Sequence, residues 1–260
     1  MNIHTQRSGT GEKCILIHGA GGSSQSWYFQ KKHLQESMEV ILIDLPGHGK
    51  SHGNGCDTIE ELRDAMYTTI QRAHIEKCYM AGHSMGAAIT MSFALSHPDI
   101  LKGMILIGTG AKLKVFPEIL EGVLKNKEKT IKKIVEFAFS KKASLTLKEN
   151  GFKEMMKCKK ETIYRDFYAC DHFNVMNSIN RVQIPTLIIC GKDDLLTPQK
   201  YSEYLHKEIK GSRLSFIECA GHMAMLEEPD EVNKAIEEFI ADCGLRNNTK
   251  NRERAKKWLH

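Results

Sequence analysis

The 260-residue sequence contains no apolar run approaching the roughly 18–20 residues of a membrane span. Its first residues, MNIHTQRSGTGEKC, carry no apolar h-region. A secretory leader is therefore not expected, and a cytoplasmic location is the simplest expectation. The eight cysteines form no C-x-x-C pair, and no Cys/His cluster has zinc spacing. Several lie inside apolar runs such as KCILIH and TLIICG, where they read as small buried hydrophobes of a reducing compartment. The glycine-rich HGAGG stretch lacks the Lys-Ser/Thr of a P-loop and the G-x-G-x-x-G of a dinucleotide site. No nucleotide, other cofactor or metal is expected. Internal repeats and low-complexity segments are also missing.

A uniform charge of one sign is absent too. The net charge is +5, but residues 246–260 hold six Lys/Arg against one Glu, and residues 112–183 hold sixteen against nine Asp/Glu. The rest of the chain is acidic. That distribution separates segments and argues against a nucleic-acid binder, for which no recognition motif is present.

What is there is a series of short apolar runs: 13–18, 38–44, 77–82, 103–109, 184–191 and 213–219. They are continuous rather than alternating, as in strands covered on both faces. Helix-like stretches separate most of them. Residues 58–75 open with Thr58 and Glu61 as a possible capping box. Residues 85–96 stop before Pro98, and 230–241 have apolar positions at helical spacing. The alternation predicts βαβ units and a mostly parallel sheet. It stops near residue 111. From there to Val182 the pattern is amphipathic and helical, with no clear strand. The expected organisation is a core of residues 1–111 and 184–245, a helical insertion at 112–183, and a loose, polar, basic tail at 246–260 that carries Trp258, with its docking left open.

Residues 82–86, GHSMG, match the G-x-S-x-G nucleophile elbow, with a strand predicted before and a helix after. The turn strains the serine backbone, and flanking glycines relieve close contacts. Ser84 is then a candidate nucleophile, and the Met85 N–H at the helix start a candidate oxyanion donor. A serine hydroxyl needs a base. His222, in CAGHMAM after the last predicted strand, is the candidate. A lone loop histidine is ordinarily structural, but this position beside Gly221 favours catalysis. CGKDDLLTP offers Asp193 and Asp194 as the acid that holds the imidazole tautomer, and either aspartate can instead cap the following helix.

The order Ser84, Asp194, His222 and the blocks ILIHGAGGSSQSW, VILIDLPGHGKS, GHSMGA, GKDDLLTP and GHMAMLEEPDEVN resemble the α/β-hydrolases, specifically a serine esterase or lipase-like branch. The likeness covers roughly residues 12–111 and 184–242. It implies the α/β-hydrolase fold: a mostly parallel central sheet flanked by helices, with the insertion as a cap over the pocket. In that family the acid lies three residues after the glycine and four before the proline, which selects Asp194. The residue after the HG pair gives the second oxyanion N–H, which implies Ala20, with Gly21 still possible.

His18, His48 and Asp44 are expected to brace loops, and His83 to tune the pocket without transferring a proton. Pocket-lining side chains are expected among the cap aromatics Phe116, Phe137, Phe139, Tyr164, Phe167, Tyr168 and Phe173. The cap lysines are expected to be a solvated face.

The implied activity is hydrolysis of a small carboxylic ester or related acyl compound through an acyl-enzyme, with no cofactor and a small-molecule acyl substrate as partner. A carbon–carbon bond hydrolase or enol-lactonase on the same triad is the alternative. The ring-cleavage branch often carries Asn before the serine, and His83 leans towards the esterase. Branches acting on epoxides and haloalkanes use aspartate at the position of Ser84. A receptor that retains a triad is the reading from another class. The basic tail is expected to be dispensable for chemistry, and the oligomeric state stays open.

Overall fold

In the computed structural model, residues 3–257 are described, with side chains to Leu245. Trp258 lies outside the described residues. Seven strands form one sheet: β1 (His4–Ser8), β2 (Lys13–Ile17), β3 (Glu39–Asp44), β4 (Cys78–His83), β5 (Leu101–Ile107), β6 (Thr186–Gly191) and β7 (Arg213–Ile217). Their order is β1-β3-β2-β4-β5-β6-β7, and every pairing is parallel except that of β1 with β3. Six strands match the apolar runs read from sequence. The seventh, β1, has the sequence HTQRS and no apolar run. As an edge strand it is held by backbone pairing to β3, so it needs no apolar face of its own.

The inner strands bury both faces because consecutive side chains point to opposite sides. Ile15 and Ile17 join one core cluster, and Cys14 and Leu16 join the other. The helices are α1 (Tyr28–Leu34), α2 (Ile59–Arg72), α3 (Met85–Ser96), α4 (Pro117–Lys125), α5 (Lys127–Ala138), α6 (Leu145–Lys157), α7 (Lys160–His172), α8 (Gln199–Glu208), α9 (Ala224–Glu227) and α10 (Pro229–Lys257). Helices α2, α3 and α8 cover the first face, with Leu62, Met66, Phe93 and Leu205 buried there. Helices α1 and α10 cover the second, through Leu34, Val232, Ile236 and Phe239. Thr58 caps α2 as expected, its Oγ1 accepting the Glu61 N–H at 3.1 Å, and the Glu61 carboxylate accepts the Asp57 N–H at 2.9 Å. Seven of the eight cysteines are buried. Helix α10 runs well past residue 241, through residues 246–257, which contain neither proline nor glycine and hold six Lys or Arg.

Helices α4 to α7 form the insertion between β5 and β6. Its two ends meet in a short two-stranded neck. Val175 N donates to Ala111 O at 2.8 Å, Leu113 N donates to Phe173 O at 3.3 Å, and Lys112 bridges Asn174. The insertion has a small apolar centre of its own, including Val123, Ile131, Phe139, Met155 and Ile163.

Between β4 and α3 the chain turns at a single residue. Ser84 has φ 54° and ψ −114°, a conformation that L-residues rarely adopt. The turn brings α3 onto β2 so closely that only hydrogen fits at two positions. A Cβ on Gly86 would lie 2.2 Å from Ile17 O and 2.7 Å from His18 O, and one on Gly82 would lie 2.2 Å from the Gly86 carbonyl. Every atom met is backbone, so no side chain can yield. Gly86→Ala is therefore expected to push α3 off the sheet and cost about 3 kcal/mol, lowering Tm by roughly 6–12 °C. Thermal unfolding followed by circular dichroism checks this; a wild-type Tm would refute the close approach.

Candidate active site

Because the inner strands are parallel, their carboxyl ends open on one edge of the sheet, the usual place for a ligand crevice. Four loops meet there: Gly19–Gly22 after β2, Ser84 after β4, Asp194 after β6 and His222 after β7. Ala20, Ser84 and His222 line one cavity of about 390 Å³ under the inserted helices. Asp194 and Met85 are buried behind that lining.

His222 Nδ1 lies 2.9 Å from Asp194 Oδ2, and both side chains are almost wholly buried. Nδ1 faces the carboxylate, so Nε2 is the ring nitrogen left for the cavity. Asp194 is itself tightly held. Its Oδ1 accepts the N–H groups of Leu196 and Thr197, each at 2.8 Å, and its Oδ2 accepts the Thr197 hydroxyl at 2.7 Å. Burial works to raise its pKa, but His222 and Thr197 outweigh it and keep the carboxyl below its ordinary 3.8. Asp193 is exposed, so of the two aspartates only Asp194 reaches the histidine.

The Gly19–Gly22 loop is a four-residue turn, closed by Gly22 N donating to Gly19 O at 3.1 Å. Gly21 N donates to the Asp166 carboxylate at 2.8 Å. That bond commits the Gly21 N–H to Asp166, while both Ala20 and Gly21 line the cavity with Ser84. At the elbow, Ser84 O accepts the N–H groups of Ala87 and Ala88, so α3 begins directly behind the serine with the Met85 N–H in its first turn.

The bracing histidines behave as expected from their loops. His18 Nδ1 donates to Gly19 O, and its Nε2 accepts the Leu45 N–H at 3.0 Å. The Asp44 carboxylate accepts the N–H groups of Ser24 and Lys50 and so ties the two flanking loops together. His83 Nε2 donates to His222 O at 2.9 Å, and the two rings lie 4.7 Å apart. Three contributors went unread in the sequence: Thr197, Glu227 and Asp166. Glu227 accepts the N–H of Gly221 and of Ser140, joining the histidine loop to the insertion. Of the seven aromatics named above, Phe139 and Phe167 line the cavity, while Phe116 and Phe137 are exposed and Phe173 is buried in the core.

The rest of the wall is largely aliphatic or aromatic, with Ile134, Leu147, Met155, Leu196 and Leu226 among it. Among the described lining residues Glu154 is the one with a formal charge, and none is Lys or Arg. Glu154 accepts from the Ser23 hydroxyl at 2.6 Å and from Lys157 at 2.6 Å. No group of three or more His, Cys, Asp or Glu suited to a metal ion occurs among the described residues, and no described helix is long and apolar enough to cross a membrane.

These features belong to a known class. The alpha/beta hydrolase fold family matches residues 15–150 and 165–229, and the chain belongs to it. It is a hydrolase of that class. A solved thermophilic esterase superposes with a TM-score of 0.84 at 31% identity, over 93% of this chain and 95% of its own. The (E)-2-((N-methylformamido)methylene)succinate hydrolase of Acinetobacter baylyi is 26% identical over 91% of this chain and 93% of its length. The 2-hydroxy-6-oxo-6-phenylhexa-2,4-dienoate hydrolase of Comamonas testosteroni is 25% identical over 92% and 91%.

The buried imidazoles make acid stability predictable. Burial, reinforced by a neighbouring histidine in each case, pushes His18 down to about 4 and His83 to about 3 from the ordinary 6.5. Folded, both stay neutral; unfolded, both take up a proton near pH 6.5. Their stabilisation is complete above that pH and is lost as pH falls towards the folded values, at up to about 1.4 kcal/mol per pH unit each. His83→Gln, which keeps a donor for His222 O, is expected to remove about 2 kcal/mol of the stability lost between pH 6.5 and 5. Urea unfolding at the two pH values measures it; an unchanged loss would refute the assignment.

Proposed function

We propose that this protein is a serine hydrolase that cleaves a small, uncharged carboxylic ester through an acyl-enzyme. The observation that carries the reading is the His222–Asp194 pair, 2.9 Å apart and buried, with its second ring nitrogen left for the cavity that Ser84 lines. Ser84 Oγ attacks the ester carbonyl as His222 Nε2 takes its proton. Asp194 holds the tautomer and stabilises the imidazolium. The N–H groups of Ala20 and Met85 hold the tetrahedral oxyanion. His222 returns the proton to the leaving alcohol. It then takes one from water, which attacks the acyl-enzyme and frees the acid and Ser84.

The wall chooses among substrates. Two relatives are named for a succinate and a dienoate, both carboxylates. A buried carboxylate needs a cationic or hydrogen-bonding partner. Here the described lining offers no Lys or Arg; Gln25, Ser26, Tyr28 and Asn150 are among its neutral hydrogen-bonding groups, and its one charge is the Glu154 carboxylate, itself paired with Lys157. That supports a neutral ester over a carboxylate-bearing substrate of the carbon–carbon or enol-lactone type.

Ser84→Ala is expected to lower kcat on p-nitrophenyl butyrate by roughly 10⁴-fold or more with the fold intact. Asp194→Asn should cost orders of magnitude by favouring the wrong tautomer, and Asp193→Asn far less. Near-wild-type turnover by Ser84→Ala, or the reverse order of the two aspartates, overturns the assignment. The substrate class is checked separately. Mono-p-nitrophenyl succinate places a carboxylate on a comparable acyl chain, and its kcat/KM is expected to be at least roughly tenfold lower than that of the butyrate, the scale of an unpaired buried charge. Equal values would sink the neutral-ester reading while leaving the triad standing.

A further inference from the structure

Asp166 sits on α7 of the insertion with no exposure of its side chain. Its Oδ2 accepts the Gly21 N–H at 2.8 Å and lies 2.7 Å from His48 Nε2. The other His48 nitrogen, Nδ1, faces Pro46 O at 3.1 Å. Both ring nitrogens thus meet acceptors, the arrangement of an imidazolium. Burial opposes that charge, but Asp166 overrides it and holds the His48 pKa well above 6.5. The pair is therefore a buried carboxylate and imidazolium that join the insertion to the HGAGG and LPGHG loops.

The bond to Gly21 has a further effect. In the turn Gly19-Ala20-Gly21-Gly22 the Gly21 N–H belongs to the central peptide, and Gly21 has φ +65°. Positive φ at the third position marks a type II turn, whose central peptide is reversed relative to type I. Reversal would bring the Ala20 carbonyl oxygen to face a buried carboxylate, which is repulsive. Asp166 thus selects one of two turn states. Types I and II share φ at the second position, so the Ala20 N–H keeps its direction within the turn in either state; what the Asp166 bond fixes for it is the placement of the turn itself, and such oxyanion donors act only when they are already in place.

We propose that Asp166 is a positioning residue for the reaction: carried by the insertion, it anchors the Gly19–Gly22 turn through its central peptide and so fixes the placement of the adjoining Ala20 N–H. This rests on the serine-hydrolase reading. It makes chemistry depend on the seating of α7, since the carboxylate reaches the loop only from there.

The test uses Asp166→Ala, Asp166→Asn and the double variant His48→Leu/Asp166→Leu. The double variant removes both charges together and so guards against an unfolded single variant with an unpaired buried imidazolium. Three quantities are read on folded protein: hydrogen–deuterium exchange of a peptide covering Ala20–Gly22, the rate of Ser84 capture by a fluorophosphonate, and kcat and KM for p-nitrophenyl butyrate. Asp166→Ala and the double variant are expected to exchange faster at Gly21 and to lose roughly 10²-fold in kcat and in capture rate, the scale of a misplaced donor, with KM within about threefold. Asp166→Asn keeps an oxygen for the Gly21 N–H and should recover most of the loss. A purely structural role would lower Tm and leave kcat and capture unchanged in the double variant. That result overturns the proposal, as does an Asn variant as impaired as Ala. If wild type neither hydrolyses the ester nor captures the phosphonate, the hydrolase reading fails with its catalytic consequence. Exchange at Gly21 then reports separately whether the anchor exists.

Discussion

The backbone at Ser84 sets the geometry on which the site depends. One residue in a rarely populated conformation reverses the chain between β4 and α3, and the helix then rests against β2 at backbone contact distance. This is local strain of the kind that persists only where the surroundings over-determine it. Here they do. Ser84 N donates to Ile107 O at 2.9 Å, and Ser84 O accepts two N–H groups of α3. The side chain is left at the sheet edge where the carboxyl ends of the strands converge. The neighbouring loops then need only be brought to a point that is already fixed.

They are brought there by neutral histidines as much as by charges. His83, immediately before the serine, holds the backbone of His222, and His18 holds Gly19 and Leu45. Both are kept neutral by burial, so each has one donor and one acceptor and makes directional bonds. His48 is the exception, and its charge has a carboxylate within 2.7 Å. Four histidines thus make two ring contacts, His18 with His48 and His83 with His222, and of these His83 and His222 line the cavity.

Most of the core was legible because its signals are local. Apolar runs mark strands buried on two faces, and a serine between glycines at a strand–helix junction marks the elbow. The choice between Asp193 and Asp194 needed a family frame, since adjacent residues of one type differ only in which way the turn points them. In three dimensions the N–H groups of Leu196 and Thr197 hold the Asp194 side chain, which lies beside His222. Strand β1 escaped because HTQRS has no apolar period, whereas α6 and α7 fall inside the insertion expected to be helical. Asp166 was beyond any local reading. Its partners are 145 and 118 residues away, and one aspartate on a helix rich in charged residues looks like surface until the fold buries it.

The two-stranded neck between residues 111–113 and 173–175 has a consequence for how such chains vary. Its ends leave and re-enter the core side by side. To the sheet, the helices between them amount to one closed loop, and the entropy of closing a loop grows only slowly with its length. The number of those helices therefore changes the closure entropy seen by β5 and β6 only slightly, while α7 also packs Ala169 and Cys170 into the core. The insertion, which contributes Phe139, Met155 and Phe167 to the cavity wall, joins the core at that neck without interrupting the elbow. A different insertion at the neck would still need a carboxylate where α7 meets the Gly19–Gly22 turn.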